Sequence, residues 1–393
     1  MARFEKLIYL DNNATTRIDP RVLEFMMPFL TEDYGNAASR SHRLGWRAAG
    51  AVDEARSTIA RAINASAARD IVFTSGATES INLALKGIRP GPGQDHVITS
   101  QIEHKAVLDS CRSLEREGRR VTYLPVDATG LVDLDRLADA IDESTYLVSV
   151  MTANNETGTI QDIPAIGALC REKGVLFHSD ATQAVGKIPF DVIACNIDLA
   201  SFAAHKLYGP KGAGALYISR AAIGDRLVAE MDGGGHEGGC RSGTLNVPGI
   251  VGFAKALELC IADMPSDSAR LLAHRTALHK VLTSQIAQVS LNGHPVQCLP
   301  GVRNFSFAGI DADSLLLELS EIALSSGSAC TSAQLTPSHV LKAMGLSDEL
   351  AQASVRFSIG RFNSAEEIAY TAACCVKAVA DLRAMSPLVK RLA

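Results

Sequence analysis

The stretch that decides the fold is Leu199-Ala200-Ser201-Phe202-Ala203-Ala204-His205-Lys206-Leu207-Tyr208-Gly209-Pro210. An apolar run, Leu199 to Ala204, meets His205 and Lys206 and then breaks into Tyr-Gly-Pro, the way a buried strand ends at a turn. A lysine at such a strand end sits where apolar walls can free its amine as a nucleophile. A solvated loop lysine before Gly-Pro would look the same, so the decision rests on what surrounds it.

Working outward, the chain from residue 70 alternates strand, loop and helix. Ile71-Val72-Phe73, Val97-Ile98-Thr99, Val121 to Leu124, Leu147 to Met151 and Val175 to Phe177 are strand-like runs, with helical stretches between most of them. This alternation predicts an α/β fold, a mainly parallel sheet covered by helices on both faces. Upstream, Ile8-Tyr9-Leu10 is a short strand. Asp19-Pro20 starts a helix with aspartate as cap and proline in the first turn, and a long amphipathic helix covers roughly 43–63. After about residue 260 the pattern changes. A helix near 266–288, a strand at Arg303–Phe307, a helix at 312–319 and a final helix with Ile368, Ala372, Cys375, Val379 and Leu382 on one stripe predict a smaller α+β unit. The N-terminal strand is a candidate member of that unit.

The 393 residues leave room for two or three units, and 47% hydrophobic with 21% charged residues is an ordinary globular balance. A net charge of −5 without a basic block argues against nucleic-acid binding, and no run is long and apolar enough to predict a membrane span. The N-terminus has no long apolar segment, so a cytoplasmic location is expected. Nine cysteines, an odd number without Cys-x-x-Cys, predict neither a disulfide framework nor a thiolate zinc site. Cys240 follows a glycine-rich run, Gly233 to Gly239, that contains His236, but no second pair accompanies these two, and no metal site is expected.

In open α/β sheets ligands bind beyond the carboxyl ends of the strands. Those ends here carry Thr78, His104, Asn154-Asn155, Asp180 with Gln183, and His205-Lys206. So many polar strand ends in series predict one site. Ser75-Gly76-Ala77-Thr78, between strand and helix, is either a phosphate cradle or a plain capping turn, and it lacks the Gly-Lys-Ser/Thr of a nucleotide loop. Asp180 follows an apolar strand and needs a partner, either a protonated heterocyclic nitrogen or an arginine. A phosphate turn, such an aspartate and a strand-end lysine are together the fixtures of a pyridoxal phosphate site.

These residues carry a resemblance. Tyr9-Leu10-Asp11 with Ala14-Thr15-Thr16, Ser75 to Ser80, Glu103-His104-Lys105, Asn154 to Gly158, Asp180 to Gln183, His205-Lys206, Arg241 to Thr244, Ser325 to Ser332 and Arg356-Phe357-Ser358 resemble cysteine desulfurases of the NifS/IscS class. That class lies within the aspartate-aminotransferase-like fold type I of pyridoxal phosphate enzymes. The resemblance implies a large cofactor domain over 16–260. It also implies a small domain from 1–15 and 261–393 that carries the catalytic cysteine in a mobile loop at about 325–335.

The resemblance further implies that Lys206 forms the Schiff base with pyridoxal 5'-phosphate, Asp180 pairs with the ring nitrogen and Gln183 bonds the ring oxygen. His104 would stack on the ring and act as acid/base. Ala77, Thr78 and His205 would hold the phosphate, with Thr244 reaching the site of the other subunit of a homodimer. Asn155 and Arg356 would bind the carboxylate of L-cysteine. Cys330 would take the sulfur as a persulfide, release L-alanine and hand the sulfur to an acceptor protein. That acceptor would be an iron–sulfur scaffold or a relay for tRNA or DNA sulfur modification. Small residues around Cys330 suit a thiol that must travel, whereas Cys374 and Cys375 fall in the final helix as core residues. A selenocysteine lyase or a class V aminotransferase would share the cofactor site, and a binding module without chemistry is the non-enzyme alternative; Ser325-Ser-Gly-Ser-Ala-Cys-Thr-Ser332 favours the desulfurase.

The match has departures. Ala203 stands where the class carries a phosphate-binding serine, and Ala37 replaces a loop proline. The segment after Ser386 is shorter than the tail with which housekeeping members dock their scaffold, which leaves the acceptor open.

Overall fold

The computed structural model describes residues 7–326 and 337–385. In chain order the strands are β1 (Ile8–Tyr9), β2 (Ile71–Thr74), β3 (His96–Ser100), β4 (Arg120–Leu124), β5 (Thr145–Ser149), β6 (Leu176–Asp180), β7 (Leu199–Ala203), β8 (Gly214–Ile218), β9 (Val289–Asn292), β10 (Val302–Phe307), β11 (Ile322–Ala323) and β12 (Ser354–Ser358). A seven-stranded sheet has the order β2-β8-β7-β6-β5-β3-β4. Strands β3 to β7 pair in parallel, while β8 runs antiparallel to both β2 and β7. The sequence reading passed over β8, because Gly212 and Gly214 bracket its start and look like turn residues.

Strands β5 to β8 are buried along their whole length, as expected where helices cover both faces of the sheet. One core cluster includes Phe177, Phe202 and Phe253, and another includes Ile81, Leu147 and Leu216. Polar residues inside the sheet are satisfied in pairs. His178 in β6 bridges Ser149 of β5 at 2.8 Å and Ser201 of β7 at 3.0 Å. Burial pulls its pKa down to about 3, so it serves as a neutral cross-brace.

A three-stranded sheet, β12-β10-β9, forms the second layer system, with Phe305, Phe307, Phe357 and the final helix Ala365–Met385 in its core. The expected stripe of that helix is buried at Ile368, Ala372, Cys375 and Val379. Strand β1 pairs in parallel with β11, so the N-terminus packs beside C-terminal residues.

One helix, Val247–Gln285, spans 39 residues and contains Pro265. The sequence reading started a helix near 266, because an internal proline removes a donor and reads as a break. Its first half buries Val251, Phe253 and Leu257 in the large core, and its second half buries Leu278 and Leu282 in the small one. Arg361, just after β12, clasps the junction. It pairs with Asp19 at 3.0 Å and Asp267 at 2.8 Å and lies 4.6 Å from the Tyr208 ring centroid. Among the described residues, no helix is long and apolar enough to cross a membrane.

Candidate active site

Each polar strand end singled out above lies at the carboxyl edge of a strand of the large sheet. Asp180 closes β6 and Lys206 follows β7, and these strands are parallel neighbours with Asp180 opposite Ser201. The Lys206 amine donates to the carbonyls of Asn13 and Ala14, both at 2.7 Å. Gln183 Nε2 donates to the same Asn13 carbonyl at 3.0 Å. The Asp180 side chain is 5% exposed, and its Oδ1 accepts from the Thr182 N–H at 2.9 Å.

His104 caps the helix Lys105–Arg116, with Nδ1 accepting from the Ala106 N–H at 3.1 Å. Burial lowers its pKa; Asp180 pulls it up, while Lys206 and His339 push it further down. A neutral ring with Nδ1 engaged as acceptor carries its proton on Nε2. His205, after β7, meets Thr15 Oγ1 through Nδ1 at 3.2 Å. Burial, with help from Lys206 and Lys211, lowers it to about 4.

The phosphate turn has the shape an anion needs. Helix Ala77–Gly87 begins after Gly76 without a side-chain cap, so Ala77 and Thr78 sit in an uncapped first turn. The turn is pressed against β8: a Cβ on Gly214 would stand 2.5 Å from the Gly76 Cα. Glu79 secures it, taking the Ser75 N–H at 2.7 Å and Arg241 Nε at 2.8 Å. Burial works against the Glu79 charge, but Arg241 and Ser75 hold its pKa below the ordinary value. Arg241 thereby ties the turn to the segment bearing the exposed Thr244. At the end of β7, Ala203 is fully buried and offers no hydroxyl.

Across the cleft, Arg356 on β12 donates NH1 to the Asn155 carbonyl at 3.0 Å and NH2 to Asp11 at 2.5 Å. Its Nε is buried without a partner among the described residues, a donor of the kind a carboxylate ligand takes up. The amine, the carboxylate, the uncapped turn and this guanidinium together fit pyridoxal phosphate carrying an amino acid. Cys330 lies outside the described residues. Beside that segment, Ser325 O accepts from Arg356 N at 2.7 Å, Ser338 Oγ donates to buried Glu156 at 2.5 Å, and His339 Nε2 meets Glu103 O at 2.9 Å.

Sequence reasoning assigned no role to the residues that knit this site, although Asp11, Ala14 and Glu103 fall in the stretches that carry the resemblance. Asp11, Asn13 and Ala14 act largely through main-chain carbonyls or a long-range ion pair, which residue identity does not reveal. Glu103 is fully buried, and Lys187 reaches Gln183 from four residues on; that spacing was the one available signal. His236, weighed as a metal ligand, accepts the Gly243 N–H through Nδ1 at 3.2 Å.

Comparison with known proteins places the whole chain. The class-V aminotransferase sequence profile matches residues 8–370. The chain is 53% identical over 384 residues, 97% of its length and 94% of the relative's, to a protein named cysteine desulfurase IscS from Anaeromyxobacter sp. (strain Fw109-5). It is 52% identical over 386 residues, 97% of its length and 95% of the relative's, to the protein of the same name from Salmonella paratyphi B. A solved structure described as a NifS-like protein superposes with a TM-score of 0.88 at 38% identity, covering 96% of this chain and all of that one. With a profile match over nearly the whole length and a fold of the same type, the chain belongs to the class-V aminotransferase family.

Proposed function

We propose that this protein is a pyridoxal phosphate-dependent cysteine desulfurase that converts L-cysteine to L-alanine and passes the sulfur to an acceptor for iron–sulfur cluster assembly. The observation that carries the reading is that Lys206, directly after β7, and buried Asp180, closing the neighbouring parallel β6, both act electrostatically on His104. Identity above 50% to IscS relatives supports the choice of substrate and pathway.

Lys206, Asp180, Gln183, His104, His205, Ala77 and Thr78 would hold the cofactor. When bound, pyridoxal phosphate supplies an electron sink for charge developing at the substrate α-carbon. Asp180 would keep a proton on the heterocyclic nitrogen. The Lys206 amine would carry the group and move the substrate α-proton. His104, whose Nδ1 accepts from the Ala106 N–H, would offer Nε2–H as a proton donor. Arg356 and Asn155 orient the substrate carboxylate, with the Arg356 Nε as the donor still to be used. The Cys330 thiolate attacks the substrate sulfur: the carbon–sulfur bond breaks, a sulfur–sulfur bond forms, and the carbon takes up protons to leave as alanine.

The reading includes a small unit of residues 1–15 and 261–393 set on a large unit of 16–260, supported by the separate aromatic core around β10 and β12. It also includes a homodimer in which Thr244 reaches the partner's phosphate. The apolar side chains of Leu23, Phe25, Leu30 and Trp46, all exposed in the single chain, speak for a covered face. A cytoplasmic location accords with the free state of the described cysteines.

Mass spectrometry after incubation with L-cysteine tests the reading. One extra sulfur on Cys330 is expected, and Cys330→Ser should keep the visible cofactor band while losing sulfur release. Sustained turnover by that variant would overturn the persulfide route.

A further inference from the structure

Lys187 lies behind the site. It is part-buried, and among the described residues its hydrogen-bond partners are the side-chain oxygens of two amides, Gln183 and Asn13. Its amine donates to Gln183 Oε1 at 2.5 Å and approaches Asn13 Oδ1 at 3.3 Å. The Asn13 carbonyl in turn accepts from Gln183 Nε2 and from Lys206. Lys187 and Asn13 also line a small cavity of about 40 Å³, together with Asn12, Tyr208, Asp267 and Pro300.

The chemistry of an amide explains why this matters. A glutamine side chain presents an acceptor at one end and donors at the other, and only its partners decide which end points where. An amine has no acceptor lone pair to offer while protonated, so it selects the carbonyl end. Lys187 on Oε1 therefore turns Nε2 toward Asn13 O, the carbonyl that also accepts from Lys206. We propose that Lys187 is a positioning residue that locks the Gln183 amide with its donor end toward the cofactor and so sets the charge state of the cofactor's ring oxygen. This rests on the reading of the site given above, in which Gln183 bonds that oxygen.

Placing an amine here is otherwise unfavourable. Burial pulls the Lys187 pKa to about 7, with Lys206 and Arg356 lowering it further and Cys260 acting the other way. His205 also feels the Lys187 charge, and Asp267 lines the same cavity. An apolar residue of the same length would fill the space without that penalty, but it would leave the Gln183 carbonyl unpartnered and the amide free to flip.

The test uses the full chain loaded with pyridoxal phosphate. Lys187→Met should weaken cofactor binding about fivefold, the size of one hydrogen bond, and shift the pH midpoint of the visible band. Lys187→Gln, which keeps a donor, should restore part of both. In a Gln183→Leu background, Lys187→Met should change neither. An unshifted midpoint in Lys187→Met, or effects that persist without Gln183, would overturn the proposal even if Gln183→Leu alone moves the midpoint. Loss of only thermal stability, with affinity and midpoint unchanged, would also overturn it. Absence of a Lys206-dependent band in the unsubstituted protein would instead sink the cofactor reading, and this proposal with it.

Discussion

Arg356 is already paired with Asp11: NH2 of the guanidinium donates to the carboxylate at 2.5 Å, with the arginine side chain 6% and the aspartate side chain 19% exposed. A substrate carboxylate reaching Arg356 therefore competes with a carboxylate the protein itself supplies.

Asp11→Asn keeps an oxygen acceptor for the guanidinium and removes the competing charge. The KM for L-cysteine should fall about threefold, with kcat changed less. Arg356→Lys should raise KM at least about tenfold, because an ammonium cannot reproduce a two-pronged contact. Steady-state kinetics decides both; a rise in KM for Asp11→Asn would show that the aspartate chiefly orients the arginine.

Glu103 carries a pH dependence. Burial raises its pKa to about 8, Ser100 and Met151 pull it down, and Asp180 pushes it up. Its folded pKa exceeds the unfolded one, so the folded state binds the extra proton. Stability from this group is present below about pH 4.5 and is lost as pH rises toward 8. Thermal unfolding should show the protein losing several degrees between pH 6 and 8.5, and Glu103→Gln flattening that slope. Equal slopes would remove Glu103 as the source.

Gly214 gives the phosphate turn its place. In Gly214→Ala the new Cβ would meet the Gly76 backbone at 2.5 Å, so the turn must shift. Cofactor affinity should fall more than about tenfold, since a backbone shift of even part of an ångström misdirects several donors at once. Equilibrium titration with pyridoxal phosphate measures it, and unchanged affinity would mean that the phosphate binds elsewhere.

Ala203 is the converse case. It is fully buried at the end of β7, opposite Gly214. Ala203→Ser should tighten pyridoxal phosphate about fivefold if its hydroxyl reaches the phosphate. The same titration reads it; weaker binding would mean the strand end has no room for the oxygen.

Much of this site was legible because parallel strands announce their carboxyl ends: an apolar run stops at a polar residue, as at Asp180 and Lys206. What stayed hidden has a physical reason in each instance. β8 hid behind two glycines, Gly212 with its positive φ and Gly214 with its close approach to Gly76. The helix Val247–Gln285 hid behind Pro265, which it tolerates. The Asn13 and Ala14 carbonyls hid because main-chain acceptors look alike in every sequence. The Asp11–Arg356 pair joins residues 345 apart, beyond any periodicity.

The Arg361 clasp has a consequence for where the molecule can flex. Arg361 follows β12, the strand of Arg356, and lies over the ring of Tyr208, two residues beyond Lys206. One rivet thus fastens the Arg356 strand to the turn after Lys206, and it is held by Asp19 and Asp267 rather than by either residue it fastens.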